Sequence, residues 1–205
     1  MPNRVYVIDD DEALRDSLLF LLDSAGFEVT LFETAQQFLD ALPALSFGCV
    51  VSDVRMPGID GIELLKRLKG EHSAFPIVVM TGHGDVPLAV EAMKAGAIDF
   101  IEKPFDEQAI LDAVRAALER CGDEGDGDRA AVVGKLALLS ERERQVLDGL
   151  ISGHANKTIA HNLGISPRTV EVYRANLMAK MQAKSLSELI RMAILADVRP
   201  AGRAG

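Results

Sequence analysis

Along the first 120 residues, two hydrophobic patterns alternate. Short and nearly continuous apolar runs appear at Val5-Tyr6-Val7-Ile8, Val29-Thr30-Leu31-Phe32, Cys49-Val50-Val51, Ile77-Val78-Val79-Met80 and Phe100-Ile101. Stretches with apolar residues at helical spacing separate them. The runs have the length of strands and the continuity that burial on both faces requires. Helices are predicted to begin near Asp11, Thr34, Asp60, Val86 and Asp106. Thr34 and Asp106 are of the N-cap type, and Gly26 and Gly96 stand where helices should stop. Five strands alternating with helices predict an α/β domain built on a parallel five-stranded sheet.

From Leu136 onward the pattern is helical only. Ser140-Glu141-Arg142-Glu143 and Ser185-Leu186-Ser187-Glu188 each have the form of a capping box. Asn156 is a candidate cap for a short helix ending at Gly164. Ser166-Pro167 is an N-cap followed by proline at the first helical position, opening a helix to about Met181. Four short helices predict a small all-α domain. Between the two patterns, residues 121–129 are rich in glycine and acid and nearly devoid of apolar residues, as in a linker or an exposed helix tail. The predicted organisation is therefore 1–120, a linker over 121–135, and 136–205.

Composition sharpens this division. The chain is 48% apolar and 26% charged, as expected of a folded protein rather than a disordered one. The net charge of −9 conceals an asymmetry. Residues 135–205 hold 11 lysines and arginines against 6 acids, a balance of +5, which leaves −14 on the rest. A basic C-terminal part suits a polyanionic partner. No apolar run approaches the roughly 20 residues that span a bilayer, and the N-terminus reaches the charged run Asp9-Asp10-Asp11-Glu12 almost at once, so a cytoplasmic protein without a membrane association is expected. Cys49 lies in a strand-like run and reads as a buried thiol; it and Cys121 lack metal-ligand spacing.

Four of the five strand runs end on a group that can do chemistry: Asp9-Asp10, Asp53, Thr81 and Lys103. In a parallel sheet with right-handed crossovers these ends share one edge, where ligands bind. Taken singly, Asp9 or Asp10 is as readily a helix cap, Thr81 a turn residue and Lys103 a surface lysine. Together they make a site for a divalent cation and a phosphoryl group. Mg²⁺ takes hard oxygen ligands and keeps several waters. Asp10 and Asp53 are candidate ligands, with Asp9 holding a water or a second position and a carbonyl just after Asp53 completing the set. Asp53 is also the natural nucleophile for an acyl phosphate. Lys103 would neutralise a phosphoryl oxygen and pair with Asp53 when the site is empty, and Thr81 would hydrogen-bond another oxygen. Two other classes compete for the same residues. A Mg²⁺-dependent aspartyl phosphohydrolase would want a second acid where Arg55 stands, and a flavodoxin-like cofactor binder would have its phosphate repelled by the clustered acids.

These motifs, with Asp53 in Ser-Asp-Val-Arg-Met-Pro-Gly, Thr81-Gly82 and Lys103-Pro104-Phe105, resemble those of the receiver domain of two-component response regulators over about residues 4–120. The resemblance implies a (βα)5 flavodoxin-like fold and a protein that is not an enzyme. It implies Asp53 as phosphoacceptor, Mg²⁺ held by Asp9, Asp10, Asp53 and the Arg55 carbonyl, and Thr81 with Phe100 as a switch pair. Phe100 replaces a tyrosine many receivers use, and a plain core phenylalanine is the alternative. Arg55 and His83 would flank the phosphoryl group and tune its hydrolysis, the alternative for His83 being a solvated loop residue.

Asn156 to Met181 reads as helix, short turn, helix, a pattern whose second helix enters the DNA major groove. Val170, Leu177 and Met181 form its inward stripe, with Tyr173 or Arg174 at the margin. Leu139–Glu143, Asn156–Ala160 and Ser166–Tyr173 resemble the LuxR/NarL-type DNA-binding domain. Positions matching that family's base-reading surface are Glu171, Val172 and Ala175. Lys157, Arg168, Arg174 and Lys180 are candidate phosphate contacts, and Thr169 also falls on the DNA-binding helix. Glu143 is expected to serve its cap, with Arg142 or Arg144 as neighbours. The last helix, Ser185 to Ala196, would be the dimer contact, the core's fourth helix, or both.

Receiver and DNA-binding domain in one chain imply a transcriptional regulator phosphorylated by a sensor histidine kinase, dimeric when phosphorylated, bound to promoter DNA and acting on RNA polymerase. The strings from Ser46 to Gly58, Met80 to Pro87 and Ser166 to Asn176 resemble the nitrogen-fixation regulators of this family. That closer resemblance implies an oxygen-responsive FixL-like kinase as phosphodonor and activation of nitrogen-fixation and microaerobic genes, another metabolic regulon being the alternative.

Overall fold

Three strands of the central sheet are closed to solvent on both faces, and that is why their sequences are unbroken apolar runs. The computed structural model describes residues 3–70, 75–82, 86–119 and 127–198. The strands are β1 (Arg4–Ile8), β2 (Glu28–Phe32), β3 (Cys49–Asp53), β4 (Ile77–Thr81) and β5 (Asp99–Glu102). They form one parallel sheet in the order β2-β1-β3-β4-β5. β3 and β4 are buried throughout and β1 nearly so. β2 and β5 are the edges, and there polar residues such as Glu28 and Thr30 are tolerated.

The connecting helices are α1 (Glu12–Ser24), α2 (Ala35–Ala41, followed by a 3-10 turn Leu42–Ala44), α3 (Gly61–Gly70), α4 (Val86–Ala95) and α5 (Glu107–Glu119). The expected caps at Thr34 and Asp106 are in place, accepting from the amides of Gln37 and Gln108, while α1 is capped by Asp11, through the amides of Ala13 and Leu14, and not by Asp9 or Asp10. On one sheet face Val5, Val7, Val51, Val78 and Met80 pack with Leu18 and Leu22 of α1 and Ile110 and Val114 of α5. Cys49 lies in this core as the expected buried thiol. The other side holds an aromatic group in which Tyr6 and Phe38 meet at a ring separation of 5.8 Å and Phe32 meets Phe38 edge-on at 5.4 Å. The Tyr6 hydroxyl donates to the Ser46 carbonyl at 2.6 Å, so its buried end is satisfied.

The chain divides into two units, Met1–His83 with Ala95–Asp123, and Gly84–Lys94 with Glu124–Gly205. The second contains α6 (Gly127–Ala137), α7 (Glu141–Ile151), α8 (Asn156–Leu163), α9 (Pro167–Met181) and α10 (Leu186–Leu195). Much of the expected linker over 121–135 is therefore helix: Val132 of α6 is buried and joins the helical core. Two caps differ in detail from expectation. α8 is preceded by Ala155, with no side-chain cap, and Asn156 is already its first helical residue. At α10, Ser185 caps the Glu188 amide, but the Glu188 carboxylate accepts from the amide of Lys184 and not from that of Ser185. The box at Ser140–Glu143 is complete in both directions.

Candidate functional site

The strand register brings the chemistry together. Asp53, the last residue of β3, lies beside Met80 of β4, and Thr81 lies beside Glu102 of β5. The Val54 amide donates to the Met80 carbonyl at 2.9 Å and the Lys103 amide to the Thr81 carbonyl at 2.7 Å, which extends the ladders past the strand ends. The Lys103–Pro104 peptide bond is cis. At this edge the Lys103 ammonium lies 2.6 Å from Asp53 Oδ1 and 2.8 Å from Asp9 Oδ2. Asp9 and Asp53 are both buried. Each second carboxylate oxygen has a backbone donor: the Asp11 amide reaches Asp9 Oδ1 at 2.9 Å and the Arg55 amide reaches Asp53 Oδ2 at 2.6 Å. The Arg15 guanidinium donates to the Asp9 carbonyl at 2.7 Å and so fixes the turn from β1 into α1.

The electrostatics follow from two buried acids sharing one cation. Burial pushes the Asp53 carboxyl up from the ordinary carboxylate range; Lys103 opposes this, while the Asp9 charge adds to it. Burial pulls the Lys103 ammonium down, but its bonds to Asp53 and Asp9 outweigh that and hold it above its usual value. Lys103 is thus firmly charged and Asp53 is poised by its surroundings. Asp10, next in the chain, is exposed at the mouth of the same edge. Among the described residues no group of three histidines, cysteines or carboxylates is clustered tightly enough to hold a metal alone.

Thr81 is buried, and its hydroxyl donates across a long 3.4 Å to the Gly82 carbonyl. Phe100 is half-buried, neither a core ring nor a free one. His83 and Cys121 lie outside the described residues.

In the second unit, α7, α8 and α9 enclose a core of Val146, Leu147, Leu150, Ile159, Val170, Leu177 and Met181. The inward stripe of α9 is therefore the expected one. Gly164 ends α8 with φ +65°, a conformation that costs a residue with a Cβ, and its amide closes onto Ala160 and His161. Ser166 then caps α9 through the Thr169 amide. The turn so formed leaves Glu171, Val172 and Ala175 exposed on α9, Val172 to 55%, with Lys157 and Arg168 exposed and Arg174 partly so.

Lys180 behaves differently from the other basic residues. Its ammonium is bonded to the buried Glu143 carboxylate at 2.7 Å and to the Leu138 carbonyl at 3.3 Å. Lys180 and the Ser140 cap hold the Glu143 carboxyl well below its usual range, at about 2. The expected partners of Glu143 are engaged elsewhere, Arg142 with Gln145 and Arg144 with the Leu136 carbonyl. Nothing in the local sequence marks Lys180 as the partner, because it stands 37 positions away on another helix.

A parallel sheet presenting acids and a lysine at one edge, joined to a helix-turn-helix, defines a protein that couples a phosphoacceptor to a DNA reader. Comparison with known proteins agrees. Residues 5–115 match the family model for the response regulator receiver domain, and residues 137–193 that for bacterial regulatory proteins of the luxR family. The chain is 63% identical over 196 residues to the transcriptional regulatory protein FixJ of Bradyrhizobium diazoefficiens, spanning 95% of this chain and 96% of that one. It is 50% identical to FixJ of Rhizobium meliloti, over 96% and 97% of the two chains. A crystal structure of full-length FixJ from B. japonicum aligns with a TM-score of 0.58 at 62% identity, covering 95% and 97%. The chain belongs to the two-component response regulators with a LuxR-type DNA-binding domain, and within them it is a FixJ-like, phosphorylation-activated transcription regulator. No helix among the described residues is long and apolar enough to cross a membrane.

Proposed function

We propose that this regulator is switched by phosphorylation of Asp53 from a sensor histidine kinase and that the switch promotes dimerisation and binding to promoter DNA. The observation that carries the reading is the single Lys103 ammonium shared by Asp53 and Asp9 at the carboxyl edge of the sheet. An Asp53 oxygen attacks the phosphorus of the kinase phosphohistidine; the P–N bond breaks as the P–O bond forms, and the imidazole leaves. Lys103 neutralises one phosphoryl oxygen, and the Thr81 hydroxyl donates to another. Asp10, Asp53 and the Arg55 carbonyl would hold Mg²⁺, with Asp9 orienting a bound water. The cation, when bound, supplies neutralisation of the phosphoryl charge. By the family resemblance, Arg55 and His83 would tune the hydrolysis of the product.

The switch is a shift of population. Phosphorylated Asp53 draws Thr81 inward, Phe100 follows, and the surface near Val86–Ala95 and β5 becomes a dimer contact. Passing from mostly inactive to mostly active takes about 5.5 kcal/mol of differential stabilisation. Several charge-assisted bonds to one phosphoryl group can contribute much of that. The dimer presents two copies of α9 to two half-sites, with Glu171, Val172 and Ala175 reading bases and Lys157, Arg168, Thr169 and Arg174 meeting the backbone. Lys180, tied to Glu143, is removed from the phosphate contacts and assigned to the framework of the domain. By likeness to the FixJ proteins, the phosphodonor is a FixL-like oxygen-responsive kinase and the regulated promoters are those of nitrogen-fixation and microaerobic genes, read by RNA polymerase in the cytoplasm. The domains run 1–120 and 136–205 by the sequence pattern, and the burial of Val132 extends the second back over α6 to Gly127.

The test is the solution mass of the full chain with Mg²⁺, with and without beryllium fluoride, for wild type and Asp53→Asn. Dimerisation of the wild type alone is expected. A monomer under all conditions overturns the dimer switch.

A further inference from the structure

The proposed phosphoacceptor rests on a peptide that a second element presses against. The carbonyl of Val54, the residue after Asp53, accepts the Gly61 amide at 3.0 Å, while the Val54 amide is held by the Met80 carbonyl at 2.9 Å. Val54 is thus held from both sides, its amide by β4 and its carbonyl by the first residue of α3. Gly61 is buried, and a Cβ on it would overlap the carbonyl oxygen of Asp53 and stand 3.0 Å from Val54 Cα and 3.1 Å from Asp53 C. All three are backbone atoms of the phosphoacceptor's own strand end, so none can turn aside as a side chain would.

Glycine is required here by proximity alone. The backbone at Gly61 is outside the left-handed region. Helix formation favours alanine at this position, and Asp60 already caps the turn by accepting from the Glu63 amide at 2.7 Å. At the other end of the same helix, Gly70 has open space where its Cβ would be.

We infer that Gly61 is a positioning residue for phosphoryl transfer: its bare Cα lets α3 seat against the Asp53–Val54 peptide and thereby aims the Asp53 carboxylate. The lever is short. Asp53 Oδ2 is held by the amide of Arg55, which shares its peptide group with the Val54 carbonyl bonded to Gly61, and Oδ1 by Lys103. Pushing the peptide moves the Arg55 amide away from Oδ2 and displaces the Arg55 carbonyl proposed as a cation ligand. A misplacement of about 1 Å costs on the order of 100-fold in a transfer that depends on alignment. The inference rests on the reading of Asp53 and Mg²⁺ given above.

The experiment uses the full chain and the variants Gly61→Ala, Gly70→Ala and Asp60→Ala. Acetyl phosphate serves as donor for the phosphorylation rate, calorimetry gives the Mg²⁺ affinity of the unphosphorylated protein, and circular dichroism confirms folding. Gly61→Ala is expected to fold, to accept phosphoryl about 100-fold more slowly and to bind Mg²⁺ several-fold more weakly. Gly70→Ala should match wild type. Asp60→Ala loosens the same helix turn without adding an atom at the peptide, so it should shift both quantities in the same direction by less. A folded Gly61→Ala with wild-type rate and affinity overturns the inference. Should Gly61→Ala not fold, Asp60→Ala decides, and wild-type behaviour in it is equally fatal. A wild type that neither accepts phosphoryl nor binds Mg²⁺ instead overturns the underlying assignment of Asp53.

Discussion

The Lys103 ammonium sits 2.6 Å from Asp53 Oδ1 while it also holds Asp9 at 2.8 Å, so one cation serves two buried acids. Removing it leaves both carboxylates without their shared counter-charge in a site of low polarity. Lys103→Met is expected to slow phosphorylation of Asp53 by acetyl phosphate about 10²- to 10³-fold, as for loss of one fixed donor to a developing negative charge. Lys103→Arg should rescue little, because a planar guanidinium cannot replace a compact ammonium at 2.6 Å and 2.8 Å from two differently placed oxygens. Stopped-flow phosphorylation at saturating Mg²⁺ checks both variants; a rate within a few-fold of wild type for Lys103→Met refutes the role.

Asp10 offers a separate handle on the cation. It is exposed, whereas Asp9 spends its carboxylate on Lys103 and the Asp11 amide. Asp10→Asn should therefore raise the Mg²⁺ concentration needed for half-maximal phosphorylation by about tenfold or more while leaving the fold intact. Chelation of Mg²⁺ should stop phosphorylation of the wild type altogether. The readout is a Mg²⁺ titration of the phosphorylation rate, and an unchanged midpoint in Asp10→Asn moves the cation elsewhere.

The acidic site was largely legible before any coordinates, and the reason is topological. A parallel sheet places every strand's carboxyl end on one edge, so a residue's place after a strand was enough to bring Asp9, Asp53, Thr81 and Lys103 to one place. Local caps at Thr34, Ser140 and Ser166 are equally legible, because their bonds span three residues. What escaped notice depends on contacts between distant segments. Lys180 looks like any lysine on a DNA-binding helix until α7 is packed against α9 and Glu143 faces it. The pressure of Gly61 on the Asp53 peptide has no sequence signature beyond a glycine at a helix start. Helix α6 was hidden by the Gly- and acid-rich stretch before it, although Ala130–Ala137 is made mostly of good helix formers and Val132 supplies a residue to bury.

Glu143 sets a pH dependence on the helical unit. Its carboxyl is held at about 2, below the ordinary value of 4.5, chiefly by the Lys180 bond. A depressed carboxylate contributes stability that is fully present above the unfolded value and is lost as pH falls toward the folded one. The stability difference between wild type and Glu143→Gln should therefore be constant above about pH 5.5 and shrink between about pH 4.5 and 2. Lys180→Met should be less stable than wild type at neutral pH by about 2 kcal/mol, the scale of a lost bond to a buried charge. Urea unfolding followed by circular dichroism across this range measures both, and a difference that does not change with pH would remove the Glu143–Lys180 pair as its source.

The exposed face of α9 divides its work by chemistry, and the division has a measurable form. A carboxylate such as Glu171 accepts from the cytosine amino group in the major groove, and discrimination by such a contact is about 1–3 kcal/mol. Arg168, beside the helix start, is proposed to meet only backbone charge, which carries no base information and releases counterions on binding. Arg168→Ala should thus weaken binding to every promoter variant by a similar factor and lower the slope of log affinity against log salt by about one. Glu171→Ala should leave that slope nearly unchanged and lose preference at a single base pair in each half-site. Titrations of the beryllium fluoride-activated dimer against promoter fragments carrying single-pair changes, at several salt concentrations, separate the two. A uniform loss in Glu171→Ala across all fragments would make Glu171 a positioning residue and leave base reading to Val172 and Ala175.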